Sequence, residues 1–139
     1  MLENGTTLNK QNEALEAKTE ASTILIIDDS KLSRNFFKKV LENMGFQTLL
    51  SSNGKEGAAI AIKEKPAAVM VDLLMPDMSG YEVMKELRAN PITKFISLIA
   101  ITSLSKQDAY EEAMAAGANG FISKKGETEF LQVSLHDIL

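Results

Sequence analysis

From Thr23 onward, short apolar runs alternate with stretches of helical spacing along the chain. Ile24-Leu25-Ile26-Ile27 is a continuous β-rich run, the pattern of a strand buried on both faces. Ser30 predicts a helix N-cap, followed by Leu32, Phe36, Phe37, Val40, Leu41 and Met44, with Gly45 as the stop. Residues 46–51 read as a second strand. Asn53 opens a helix through Ala58, Ile60, Ala61 and Ile62, which Pro66 closes. Residues 68–71 form a third buried strand that ends at Asp72. A helix over 79–90 carries Tyr81, Val83, Met84 and Leu87, with Pro91 just beyond it. Residues 96–101 are a fourth strand ending at Thr102. A helix over 105–116, with Ala109, Tyr110, Ala113, Met114 and Ala116, stops at Gly117. Residues 120–123 give a short fifth strand ending at Lys124. The last helix starts near Thr128 and carries Leu131, Leu135 and Ile138.

Five strand–helix units in succession predict a parallel sheet covered by helices on both faces. Right-handed crossovers make this a three-layer, doubly wound α/β sandwich. Residues 1–21 fall outside the pattern. Their only large apolar side chains after Met1 are Leu2, Leu8 and Leu15, too few for a core-facing stripe. The sequence therefore predicts a flexible N-terminal tail over 1–21 and one domain over 22–139.

Composition narrows the function more than the fold. The 139 residues contain no cysteine, which excludes disulfides, thiolate metal sites and cysteine nucleophiles and fits a reducing, cytoplasmic setting. A net charge of −4 argues against a molecule-wide nucleic-acid surface, so no direct nucleic-acid partner is expected. No apolar run approaches the ~20 residues of a membrane span, and the N-terminus lacks the pattern of a secretory signal.

In doubly wound sheets, ligands bind beyond the carboxyl ends of the strands. Asp28 and Asp29 follow the first strand, Ser52 and Asn53 the second, and Asp72 the third. Thr102 and Ser103 follow the fourth, Lys124 and Lys125 the fifth. Three carboxylates, a hydroxyl and an ammonium thus converge on one edge. Two carboxylates about 4 Å apart repel by roughly 4 kcal/mol at an effective dielectric of 20. The group therefore requires protons, a lysine or a cation, and a hard dication with oxygen ligands suits it. Asp28-Asp29 by itself could be a turn and a helix cap, and Asp72 by itself a turn residue. Only the register of all of them at strand ends points to chemistry.

With these residues in order, the chain from Ser22 to Leu139 resembles the receiver domains of two-component response regulators. Asp28-Asp29, Asp72 in VDLLMPDMSG, Thr102 after IAI and Lys124 after FIS carry the resemblance. Met75, Pro76 and Gly80 stand three, four and eight places beyond Asp72. The resemblance implies a flavodoxin-like sheet of order 2-1-3-4-5. It implies that Asp72 accepts a phosphoryl group from a phosphohistidine on a sensor histidine kinase or histidine phosphotransfer protein. Asp29, Asp72 and the Leu74 carbonyl would hold Mg²⁺ (or Mn²⁺), with Asp28 positioning a metal-bound water. Lys124 would pair with the phosphoryl oxygens, Thr102 would move to hydrogen-bond them, and Phe121 would rotate inward. The acceptor would also lose its phosphoryl group by its own slow hydrolysis. Output would pass to a protein partner through the 105–139 surface of a monomer or a weak, phosphorylation-dependent dimer.

The sequence departs from the family in two places. Lys125 stands where most members have proline, so a cis bond there, which costs about 2.5–4 kcal/mol without proline, is not expected. Leu74 and Leu104, two places beyond Asp72 and Thr102, give an attacking water no hydrogen bond and predict a long-lived phosphoaspartate. A metal-dependent aspartyl phosphatase would share the nucleophile, the metal and the lysine. It calls for an acidic residue where Leu74 stands and for a cap domain. A receiver detached from a transcription regulator or hybrid kinase is the remaining alternative. The methionines Met70, Met75, Met78, Met84 and Met114 are read as packing, and His136 and Lys125 as solvated surface.

Overall fold

The computed structural model describes residues 22–103 and 107–124. The expectations for the tail over 1–21, Leu104, Lys125, the last helix and His136 lie outside the described residues. Within them the order is β1 (Thr23–Ile27), α1 (Lys31–Asn43), β2 (Gln47–Ser51), α2 (Gly54–Glu64), β3 (Ala68–Asp72), α3 (Gly80–Ala89), β4 (Ser97–Thr102), α4 (Gln107–Ala115) and β5 (Gly120–Ser123). The strands form one parallel sheet in the order β2-β1-β3-β4-β5.

Side-chain alternation along each strand divides the core in two. Leu25, Ile27, Val69, Val71, Leu98 and Ala100 face α2, α3 and α4 through Ala58, Ala61, Val83, Met84, Leu87 and Ala113. Ile24, Ile26, Met70, Ile99, Ile101 and Ile122 face the other way, onto Phe37, Val40 and Leu41 of α1. Strands buried on both faces read as unbroken apolar runs for this reason. Each large core side chain contributes about 1.5–3 kcal/mol relative to exposure.

The helix starts follow the side chains that cap them. Oγ of Ser30 accepts from the Ser33 amide, Oδ1 of Asn53 from Glu56 and Oγ of Ser79 from Glu82. The α2 helix ends on Lys65 in the left-handed region (φ 49°), and Pro66 prevents its continuation.

Three sequence readings are corrected in detail. The predicted α1 stripe is too wide, because Leu32 is 82% exposed and Phe36 43% exposed. Phe37, Val40 and Leu41 are the buried part of that stripe, with Met44 packed partly buried against the same core. Met114, read as packing, is partly exposed at the surface of α4, whereas Met70 and Met84 are fully buried. Phe46 precedes β2 instead of opening it, its amide bonding the Leu41 carbonyl.

Candidate functional site

The carboxyl ends of β1 and β3 lie side by side at the centre of the sheet, with Ile27 paired to Val71. Asp28 therefore sits beside Asp72. Backbone bonds hold both strand ends: the Asp28 amide donates to the Ser51 carbonyl (3.0 Å) and the Leu73 amide to that of Ile101 (3.0 Å). Asp28 is fully buried, Asp72 is 4% exposed, and Asp29 opens to solvent. One carboxylate oxygen from each of the three lies within 4.8 Å of the other two.

Lys124 arrives from the edge strand β5, where its amide donates to the Thr102 carbonyl (2.8 Å). Its ammonium stands 2.8 Å from Oδ2 of Asp28 and 3.1 Å from Oδ2 of Asp72. The contact with Asp72 is a directed hydrogen bond. That with Asp28 is an ion pair off the hydrogen-bond direction, so this buried Oδ2 receives no aligned hydrogen bond from any described residue. Oδ1 of Asp28 accepts from the Ser30 amide at 2.9 Å. Oδ1 of Asp72 accepts from the Leu74 amide at 3.1 Å.

Burial pushes the Asp72 carboxyl up to about 6, with the nearby Asp28 charge adding to it; the Leu74 amide and Lys124 offset only part of that rise. At Lys124 burial acts downward, but pairing with the carboxylates of Asp28 and Asp72 outweighs it and raises the ammonium above its ordinary value. Desolvation thus prevails at the carboxylate and pairing at the ammonium. One ammonium among three carboxylates leaves formal negative charge in a mostly buried site, together with one carboxylate oxygen lacking an aligned donor. These hard oxygen donors fit a divalent cation.

Three features around the site carry no periodic signal in the sequence. The Arg34 guanidinium donates to the Asp28 carbonyl at 2.7 Å, fixing the backbone of the acid pair from α1. Asp77 accepts from the Gly54 and Lys55 amides (both 3.3 Å), tying the loop after Asp72 to the start of α2. Gly80 lies so close to that loop that a Cβ there would stand 2.8 Å from the Leu73 Cα, inside contact distance. Its place eight residues beyond Asp72 is thus a matter of space.

Thr102 is fully buried at the end of β4. Phe121 is half-buried on β5 and meets the Tyr110 ring edge-on, with centroids 5.7 Å apart. The Leu74 side chain is 50% exposed beside the acid pocket. The sequence-predicted residues Asp28, Asp29, Asp72 and Lys124 therefore meet, and Thr102 borders them through the Lys124 amide.

The family model for the response regulator receiver domain matches residues 24–136. The chain belongs to that family. Among relatives, Protein PilH of Pseudomonas aeruginosa is 30% identical over 116 residues, covering 84% of this chain and 96% of PilH. The polar-differentiation response regulator DivK of Brucella anthropi is 28% identical, over 73% of this chain and 83% of DivK. Among solved structures, chemotaxis response regulator CheY4 of Vibrio cholerae superposes with a TM-score of 0.79 at 28% identity, over 85% of this chain and 98% of CheY4. This receiver domain works in two-component signalling, as its family does. No helix among the described residues is long and apolar enough to cross a membrane.

Proposed function

We propose that Asp72 is the phosphoacceptor of this receiver and that Asp28, Asp29, Thr102 and Lys124 serve its phosphorylation. The carrying observation is the convergence of three carboxylate oxygens within 4.8 Å around an ammonium 2.8 and 3.1 Å from two of them. An oxygen of ionised Asp72 attacks phosphorus on a donor phosphohistidine. The P–N bond breaks, the imidazole leaves with its electron pair, and an acyl phosphate remains on Asp72. With its carboxyl near 6, Asp72 is largely ionised and ready to attack at neutral pH.

Asp29 and Asp72, with the Leu74 carbonyl, would hold Mg²⁺, or Mn²⁺ in its place, with Asp28 positioning a metal-bound water. The cation supplies charge neutralisation for the phosphoryl oxygens. Lys124 pairs with those oxygens in exchange for its contact with Asp72. Thr102 and Phe121, on the strands that flank this lysine, carry the change outward. The donor is a sensor histidine kinase or a histidine phosphotransfer protein. Leu32, 82% exposed in the first turn of α1 and three residues beyond Asp29, offers that donor an apolar foothold at the mouth of the site. Output passes to a protein partner through the face built from α4 and β5. Residues 22–139 form the receiver unit, and 1–21 stand outside it.

The test is intact mass after incubation with Mg²⁺ and acetyl phosphate. The expected result is a gain of one phosphoryl group that is absent in Asp72→Ala. Unchanged wild-type mass, or equal phosphorylation of the variant, overturns the assignment.

A further inference from the structure

At the edge of the sheet opposite the acid pocket, the loop from α3 into β4 presents two bare apolar side chains. Phe95 is 90% exposed and Ile92 54% exposed. The loop is firmly built. Thr93 is buried and its hydroxyl donates to the Leu87 carbonyl at 2.7 Å. Arg88 donates to the Lys94 and Ile96 carbonyls at 2.9 and 2.6 Å. The same guanidinium reaches the Gly117 carbonyl and Oδ1 of Asn119. Ile92 and Phe95 are thus displayed on a fixed platform, with the Lys94 ammonium 5.5 Å from the Phe95 ring centroid.

Residues 1–21 join the domain at this same edge, because Ser22 leads into the start of β1 and all strands are parallel. Only β3 separates β1 from β4, a lateral distance of about 10 Å. A segment of this length could reach ~70 Å if extended, so reach is no constraint. Its charge also fits. Glu3, Glu13, Glu16 and Glu20 outnumber Lys10 and Lys18. The exposed Lys65 and Lys94 stand on the connections into β3 and β4, which carry no acidic residue, and Lys63 beside Glu64 ends α2. Leu8 and Leu15, seven residues apart, lie on one face of any helix formed there.

We infer that residues 1–21 dock intramolecularly across this edge, setting Leu8 and Leu15 against Ile92 and Phe95. The segment that the sequence marks as a tail is then an arm covering the platform. The inference is independent of the phosphoacceptor assignment, since the two sites occupy opposite edges.

The cysteine-free chain allows a single spin label through Asn12→Cys in the 139-residue chain. Amide signals of Ile92, Lys94 and Phe95 are expected to lose most of their intensity, while those of Asp29 and Thr102 keep theirs. Leu8→Ser with Leu15→Ser, and separately Phe95→Ser, should restore the lost signals several-fold. Equal broadening at both edges overturns the inference, as does broadening centred on Leu32. So does broadening that arises between labelled and unlabelled copies in a mixed sample, which would mark a second chain as the occupant.

Discussion

The ammonium of Lys124 bonds Oδ2 of Asp72 at 3.1 Å across 52 residues of sequence. One lysine from an edge strand thereby closes a pocket whose acids come from the two central strands. It offsets only part of what burial does at Asp72, whose carboxyl stays raised, with the Asp28 charge adding to the effect.

This raised carboxyl fixes a pH dependence. Asp72 binds its proton up to about pH 6 in the folded protein but only up to about 3.8 when unfolded. Between these values the native state holds more proton, so this group's contribution to stability falls as pH rises through that window. Its cost is fully present above about pH 6 and absent below the unfolded value. Asp72→Asn, measured by urea unfolding without divalent metal, should therefore stabilise the protein at pH 7.5 by roughly 1–3 kcal/mol. The gain should vanish near pH 3.5. A gain that persists unchanged in acid would show that charge is not its origin.

Divalent metal should act on the same charge. Mg²⁺ at ten times its dissociation constant should stabilise the fold by about 1.4 kcal/mol, and chelation should reverse this. Asp29→Asn should weaken the effect without lowering metal-free stability, since Asp29 is exposed. Thermal melts at constant ionic strength separate binding from screening. An identical response of wild type and variant would remove Asp29 from the ligand set.

Leu74, half-exposed beside the pocket, offers no hydrogen bond to an approaching water. Leu74→Asn supplies one, and phosphorylated protein carrying it should decay several-fold faster than wild type. The readout is loss of phosphoprotein by intact mass over time. Equal decay would show that water is admitted without help at this position.

Arg88 predicts a separable effect. Removing its guanidinium strips hydrogen bonds from the carbonyls of Lys94, Ile96 and Gly117 and from Asn119. Arg88→Met should cost about 2–4 kcal/mol of stability in urea unfolding. Its phosphorylation by acetyl phosphate at a temperature where it remains folded should match wild type, because these bonds lie at the far edge. A large fall in phosphorylation would show that the two edges are coupled.

The site was legible because its chemistry stands at strand ends, where sequence register and spatial position coincide. Asp28, Asp29, Asp72 and Lys124 each follow a recognisable apolar run, so a parallel sheet brings them together. Ser30 and Asn53 were readable as caps because capping is local. Arg34, Asp77 and Arg88 were not, since each reaches, from a helix or from the loop after β3, to backbone groups with no fixed spacing in the chain. Leu32 and Phe36 misled for another reason. Helical periodicity reports which residues share a face, while the width of the buried stripe depends on how closely the sheet approaches, which spacing does not encode. Ile92 and Phe95 sit in a loop, where exposure follows from how Thr93 and Arg88 fasten the backbone.

The position of Lys124 at the end of β5 has a mechanical consequence. β5, like β2, is an edge strand laddered to one neighbour, so one ladder holds it where two hold β1, β3 and β4. A tether fastened there, and anchored on the central carboxylates, joins the hub of the sheet to its rim. One of the two margins of the sheet is thus roped to its buried acid pair.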